Sequence, residues 1–208
     1  MVVVLTMSRG MVKCVILLNI IKKTVLGEAM LKWLWLTLLV IVLDLGTKAM
    51  ASHYFTLGEI MTIIPGWFNL TLAHNPGAAF SFLANESGWQ RWFFAIIALV
   101  VSTIIFFWIK RLQTHERWLA IALALILGGA LGNLWDRLTL GYVIDFLDFY
   151  YQGSGAQARH WPAFNIADSA ISIGAVMLVI DALFSKESSK LSEKTGNKEA
   201  SNNETINK

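Results

Sequence analysis

Four long apolar stretches constrain the fold of this 208-residue chain more than any other feature. A transmembrane helix needs about 20 mostly apolar residues to cross a hydrocarbon layer about 30 Å thick. Hydrophobic residues make up 56% of the chain and charged residues only 15%, a balance that a soluble domain rarely has. We therefore predict four membrane-spanning helices, at residues 33 to about 51, 92–109, 118 to about 138, and 164–184.

Lysine and arginine predict which side of the membrane each loop occupies. Both ends of the chain and the loop between the second and third spans are rich in these residues. In contrast, residues 52–91 contain only Arg91 and residues 139–163 contain only Arg159. Cytoplasmic loops carry an excess of lysine and arginine. Both termini are therefore predicted to be cytoplasmic, with the two sparse loops facing outward.

The two ends of the chain differ in composition from its middle. Residues 1–29 contain apolar runs that Arg and Lys interrupt, and Met30 stands just before the first span. We expect residues 1–29 to be an N-terminal extension, upstream of the true start, and residues 30–184 to form one membrane domain. Residues 185–208 are rich in Lys, Glu, Asn and Ser, which predicts a disordered, solvated cytoplasmic tail.

The first outer loop carries the signals of a small β-sheet. Residues 60–64 and 67–72 are short β-branched and aromatic runs around a proline–glycine pair at 65–66, which predicts a hairpin. Residues 74–77 are a second turn signal, followed by another apolar run at 78–83. The predicted fold is an all-α membrane protein with a small extracytoplasmic β-cradle in this loop.

Each ionisable side chain inside a predicted span costs about 2.5–3.5 kcal/mol of insertion free energy. We therefore expect these side chains to have a structural or functional role. With the predicted orientation, nearly all of them lie in the outer half of the bilayer, and only Asp181 lies at the cytoplasmic end as an interfacial charge. Asp145 follows the third span at the same outer level, and Gly129 and Gly132 permit close helix approach there. The polar residues at this level are Asp44, Lys48, Asn133, Asp136, Arg137, Asn165 and Asp168.

These polar residues favour acid–base chemistry by a pair of carboxylates. The loop between Asp145 and Asp168 has a length that can bring both to one rim. Two carboxylates in one low-dielectric site cannot easily both ionise, so one can serve as acid and the other as base on a water molecule. No serine has a histidine at a recognisable spacing, and the four histidines lack the spacing of metal ligands.

Other interpretations of the same residues stay open at this point. A proton-coupled carrier also uses intramembrane carboxylates, although its polar residues should continue through the bilayer. A structural membrane subunit is a third possibility. Asp44 and Lys48 are four residues apart and suit a buried ion pair, and Asp136 and Arg137 suit charges at a helix end. Asp148 is predicted to be solvated.

Five segments of the chain, taken together, resemble the lipoprotein signal peptidases, also called signal peptidase II, the membrane aspartyl proteases of bacteria. The resemblance extends from about residue 31 to residue 184, and Pro76 is a mild departure from it, on a loop. The segments are DLGTK at 44–48, FNLT at 68–71 with NPGAAFS at 75–81, GGALGNLWDR at 128–137, GYVIDF at 141–146 and FNIADS at 164–169.

The resemblance implies an activity and a location. It implies an endopeptidase of the bacterial cytoplasmic (inner) membrane, active at the outer face, that removes signal peptides from prolipoproteins carrying a diacylglyceryl cysteine. The cut falls on the N-terminal side of that cysteine. The implied partners are these prolipoproteins, membrane lipid and cyclic-peptide inhibitors such as globomycin, with no metal or cofactor. A net charge of +3 gives no reason to expect nucleic acid.

The resemblance also implies a role for individual residues. The catalytic dyad corresponds to Asp145 and Asp168. The residues expected to bind the substrate are Asn75, Gly129, Asn133, Arg137 and Asn165, and those expected to support the site are Asp44, Lys48 and Asp136.

Overall fold

The computed structural model describes residues 30–77, 88–152 and 157–184. Four helices in it are long and apolar enough to cross a membrane, as predicted. They are Leu34–Tyr54 (α1), Trp89–Ile109 (α2), Arg117–Thr139 (α3) and Ile166–Phe184 (α4). The predicted extension at 1–29, the apolar run at 78–83 and the predicted tail at 185–208 lie outside the described residues.

The strands form one four-stranded antiparallel sheet in the order β1-β2-β3-β4. Ile60–Ile64 (β1) and Phe68–Asn75 (β2) are the hairpin predicted for the first outer loop. The second outer loop adds Val143–Tyr151 (β3) and Arg159–His160 (β4), which the sequence did not predict. Most of β3 is buried on both faces, so it lacks the alternation of polar and apolar residues that marks a half-exposed strand.

Helix α3 is the centre of the helical bundle. It is the most deeply buried of the four and packs against both α1 and α2. Glycines allow this close packing: a Cβ atom on Gly128 would lie 2.7 Å from the Cβ of Val40 in α1. A Cβ atom on Gly129 would fall on the carbonyl oxygen of Ala167 at the start of α4. Close packing of α3 thus fixes the outer end of α4.

A cluster of buried apolar residues lies between the sheet and the C-terminal end of α1. It is formed by Ala51 of α1, Leu72 of β2, and Ile144 and Phe146 of β3. Because successive side chains of a strand point to opposite faces, Asp145 points away from this cluster. The sheet therefore presents Asp145 to the space beside α3 and α4.

Candidate active site

One asparagine ties the two predicted catalytic carboxylates together. Asn165 lies just before α4, and its side-chain oxygen accepts the backbone N–H of Asp168 at 2.9 Å, which caps the helix. Its side-chain amide donates to Asp145 Oδ1 at 2.8 Å. The neighbouring Phe164 pairs with Leu147 of β3 through backbone hydrogen bonds. The start of α4 and strand β3 are thus joined where the two carboxylates lie.

Two further amides hold the carboxylates from the other sides. Asn133 Nδ2 donates to Asp168 Oδ1 at 2.7 Å, and Asn75 Nδ2 donates to Asp145 Oδ2 at 3.1 Å. Within the described part of the chain, neither Asp145 nor Asp168 forms an ion pair. Their hydrogen-bond donors are neutral amides, so no cation in direct contact fixes either group in its ionised form.

Asp145 lies on β3, outside the spanning helices, and only 3% of its surface is exposed. This burial raises the pKa of Asp145 to about 7, and the nearby Asp168 carboxylate adds to the rise. The hydrogen bonds from Asn75 and Asn165 oppose the rise without cancelling it. Asp145 therefore holds a proton in a substantial fraction of molecules near neutral pH.

A sealed cluster of charges lies behind the carboxylate pair. Lys48 is 1% exposed, and its ammonium group donates to Asp44 Oδ2 at 2.7 Å and to Asn133 Oδ1 at 3.0 Å. It also lies 2.9 Å from Asp136 Oδ2. The predicted ion pair of Asp44 and Lys48 is confirmed. Asp136 is a buried member of the same cluster rather than a charge at an exposed helix end.

The acidic members of this cluster also anchor backbone. Asp44 Oδ1 accepts the N–H of Ala167 in the first turn of α4 at 2.9 Å, and Asp136 Oδ2 accepts the N–H of Ile144 at 3.2 Å. Ala167 and Ile144 each precede one of the paired carboxylates by one residue. The charge cluster therefore sets the positions of the two backbone segments that carry the pair.

Arg137 faces the same space with donors to spare. Its guanidinium donates to the carbonyl oxygens of Gly77 at 3.0 Å and Asn133 at 3.3 Å, and it lies 5.4 Å from the ring of Phe94. Its Nε atom is buried, and no partner for it lies among the described residues. A planar group with a free donor is suited to binding a carbonyl oxygen.

These groups line a cavity of about 590 Å³ between the C-terminal end of α3 and the N-terminal end of α4. Asn75, Asn133, Arg137, Asp145 and Asp168 are among its lining residues, so the structure brings most of the predicted site residues together. Asn165 lies behind the paired carboxylates. Gly129 is in contact with α4 rather than among the lining residues, so its visible contribution is close helix packing.

Two features of the site were not predicted. Residues 161–163 form one wall of the cavity, and the only sequence signal was their position directly before the segment at 164–169. The prediction that Asp148 is solvated was wrong. Asp148 is 5% exposed, accepts a hydrogen bond from Asn69 at 2.8 Å and lies 2.9 Å from Nδ1 of His160. It is buried because β2 and β4 cover it on both sides.

Four spanning helices and a cavity with paired carboxylates define a membrane-embedded protein equipped for acid–base chemistry. Within the described ranges, no three His, Cys, Asp or Glu side chains come together as metal ligands would. Residues 36–184 match the family described as signal peptidase (SPase) II. The chain belongs to this family of proteases.

Similar proteins agree with this family assignment. The chain is 55% identical to the lipoprotein signal peptidase of Pseudomonas putida over 159 residues, which cover 76% of this chain and 90% of that protein. It is 56% identical to the lipoprotein signal peptidase of Pseudomonas aeruginosa over 158 residues, 76% of this chain and 91% of that protein.

Solved structures agree as well. A bacterial membrane enzyme determined by the in meso method at 2.3 Å resolution superposes with a TM-score of 0.65 and 30% identity, over 74% of this chain and 89% of that one. A second bacterial membrane enzyme, at 1.9 Å resolution, superposes with a TM-score of 0.62 and 28% identity, over 73% of this chain and 92% of that one.

Proposed function

We propose that the chain is an intramembrane aspartyl endopeptidase that removes signal peptides from diacylglyceryl-modified prolipoproteins, cutting on the N-terminal side of the lipidated cysteine. The observation that carries the proposal is the pair of Asp145 and Asp168 at one cavity, held by neutral amides and with no ion pair to another described residue. Membership of the signal peptidase II family supports the protease class and the lipoprotein substrate.

The pair activates water directly. In this mechanism Asp145, whose pKa burial raises to about 7, donates a proton to the carbonyl oxygen of the scissile bond, and Asp168 acts as the base. Asp168 takes a proton from water as the water oxygen bonds to the carbonyl carbon. The tetrahedral intermediate then collapses: the C–N bond breaks, the proton passes from Asp168 to the leaving amine, and a hydroxyl of the intermediate returns a proton to Asp145 as the new carboxylic acid forms. No step needs a cofactor.

The remaining site residues hold the substrate backbone. Asn75 and Asn133 line the cavity beside the dyad, and Arg137 lines it too, with a guanidinium group that can donate to a substrate carbonyl. A lipidated cysteine stays in the outer leaflet because its acyl chains are buried there, which brings the scissile bond to the level of the dyad. Cyclic peptides such as globomycin compete for this cavity.

The site faces outward from the bacterial inner membrane, with both termini in the cytoplasm. The supporting observation is the scarcity of Lys and Arg in residues 52–91 and 139–163. A reporter that works only inside the cell should be active when fused after Phe184. One that works only outside should be active when inserted near Gly58. The reverse pattern would contradict the orientation.

The direct experiment incubates the purified protein with a diacylglyceryl prolipoprotein and with the same precursor lacking the lipid. We expect cleavage of the lipidated form only, and mass spectrometry of the products gives the cut bond. In parallel, a measurement of proton flux into liposomes tests the alternative that the chain is a proton-coupled carrier. Flux without cleavage would contradict the proposal, as would a cut at any other bond.

A further inference from the structure

The wall of the catalytic cavity borders a second cavity as well. Trp161, Pro162 and Ala163 line both the catalytic cavity and a neighbouring one of about 470 Å³, which Asp148, His160 and Thr71 also line. A segment with open space on two sides has fewer packing partners than a segment in a filled core. The position of this wall (residues 161–163) therefore depends on how its two ends are held.

The two ends are anchored in different ways. After the wall, Phe164 exchanges backbone hydrogen bonds with Leu147 at 2.9 and 3.0 Å and stacks on the ring of Phe149, and α4 then begins. Before the wall, the two-residue strand β4 pairs with β3 at Tyr150 and Tyr151, and Trp161 N donates to Phe149 O at 2.7 Å. The leading end is thus held by a short ladder, to which the side chain of His160 adds a contact with Asp148.

His160 has two contacts with strand β3. Its Nδ1 lies 3.0 and 2.9 Å from the two carboxylate oxygens of Asp148, and its ring stacks on Tyr150 with 5.2 Å between centroids. Asp148 is a rigid acceptor because it is buried and bound by Asn69 across the ladder. A hydrogen bond to a buried charged group is worth more than a typical surface contact.

We propose that Asp148 and His160 are a positioning pair that holds the wall in place and thereby sets the affinity of the catalytic cavity for its peptide substrate. This inference rests on the proposed function. The side chains of Asn75, Asn133 and Asn165 hold Asp145 and Asp168 in place independently of the wall. Loss of the positioning pair therefore disturbs substrate binding more than the chemical step.

Two substitutions separate the hydrogen bond from the ring. His160→Phe keeps a ring to stack on Tyr150 but has no donor, whereas His160→Asn keeps a nitrogen near the Nδ1 position without the ring. We expect His160→Phe to raise KM at least about fivefold with kcat within about twofold. His160→Asn should keep both constants within about twofold. His53→Phe, at an exposed position on α1, is the matched control.

A thiol-labelling measurement tests the wall without any cleavage. In a Cys14→Ser background, Ala163→Cys reports access to the wall, and we expect His160→Phe to speed its labelling at least about threefold. Unchanged labelling, or an unchanged KM, would overturn the proposal. An equal rise of KM in both His160 variants would overturn it too, because the ring would then be what matters. If the unsubstituted protein does not cleave, the proposed function fails and labelling alone decides the positioning pair.

Discussion

Two groups of carboxylates lie close together in this protein and differ in the groups that contact them. Asp44 and Asp136 share the ammonium group of Lys48, and all three residues are at most 2% exposed. Among the described residues, Asp145 and Asp168 accept from side-chain amide N–H groups, and they face an open cavity. The first group is an ion-paired cluster closed off from solvent, whereas the second group has neutral donors and open space beside it.

The difference distinguishes the carboxylates that support the structure from the carboxylates that are proposed to act on the substrate. Asp44 and Asp136 each contact the ammonium group of Lys48 and each accept a backbone N–H, so the carboxylates that hold the cation also position backbone. A buried carboxylate without a cation can hold a proton near neutral pH. Asn133 joins the two groups: its oxygen accepts from Lys48, which turns its amide nitrogen toward Asp168.

The largest expected effect comes from removing one carboxylate of the reactive pair. Asp145→Asn and Asp168→Asn keep the size of each side chain but can no longer accept or deliver a proton. We expect each to lower the cleavage rate at least about 1,000-fold, within the range for lost acid–base catalysis. Both variants should insert and purify normally, since neither leaves an unpaired charge. Cleavage at the normal rate by either one would rule out the dyad.

The supporting group should respond in the opposite way, through stability. Lys48→Met leaves Asp44 and Asp136 buried without their cation, a loss that costs about 3–5 kcal/mol in buried ion pairs. We expect a clearly lower melting temperature for the detergent-solubilised protein. Lys110→Met, at an exposed site, serves as the control. If Lys48→Met melts like the unsubstituted protein, the two groups do not differ as described.

Arg137 tests whether geometry or charge matters next to the reactive pair. Lysine keeps the charge but not the planar set of donors that reaches Gly77 and Asn133. We expect Arg137→Lys to cut kcat/KM at least about tenfold, roughly 1.4 kcal/mol of barrier. Arg111→Lys, in an exposed loop, should change nothing. Near-normal cleavage by Arg137→Lys would show that charge alone suffices there.

The smallest expected effect is the pH dependence of the reaction. Burial raises the pKa of Asp145 to about 7, so the proton that it donates is mostly present at pH 6 and mostly lost at pH 7.5. We expect kcat/KM to fall about fourfold between these values, as the protonated fraction falls. Melting temperatures over the same range control for unfolding. A flat profile would remove Asp145 from the role of acid.

Much of the site was predictable because the resemblance fixed particular positions. The segments around Asn133, Asp145 and Asp168 contain residues that line one cavity, and the segment around Asp44 contains the ion pair behind it. Asp148 was not predictable in this way. A carboxylate in an outer loop looks solvated along the sequence, and only the strands on either side of it make it buried.

The sequence by itself determined the four spans, because hydrophobicity is a local property that can be read along the chain. Only the tertiary structure decided that β3 and β4 join the sheet, that Lys48 forms ion pairs with two carboxylates and that His160 contacts the Asp148 carboxylate. These contacts join residues from different helices and loops. Their partners are chosen by packing in three dimensions, and no local pattern encodes that choice.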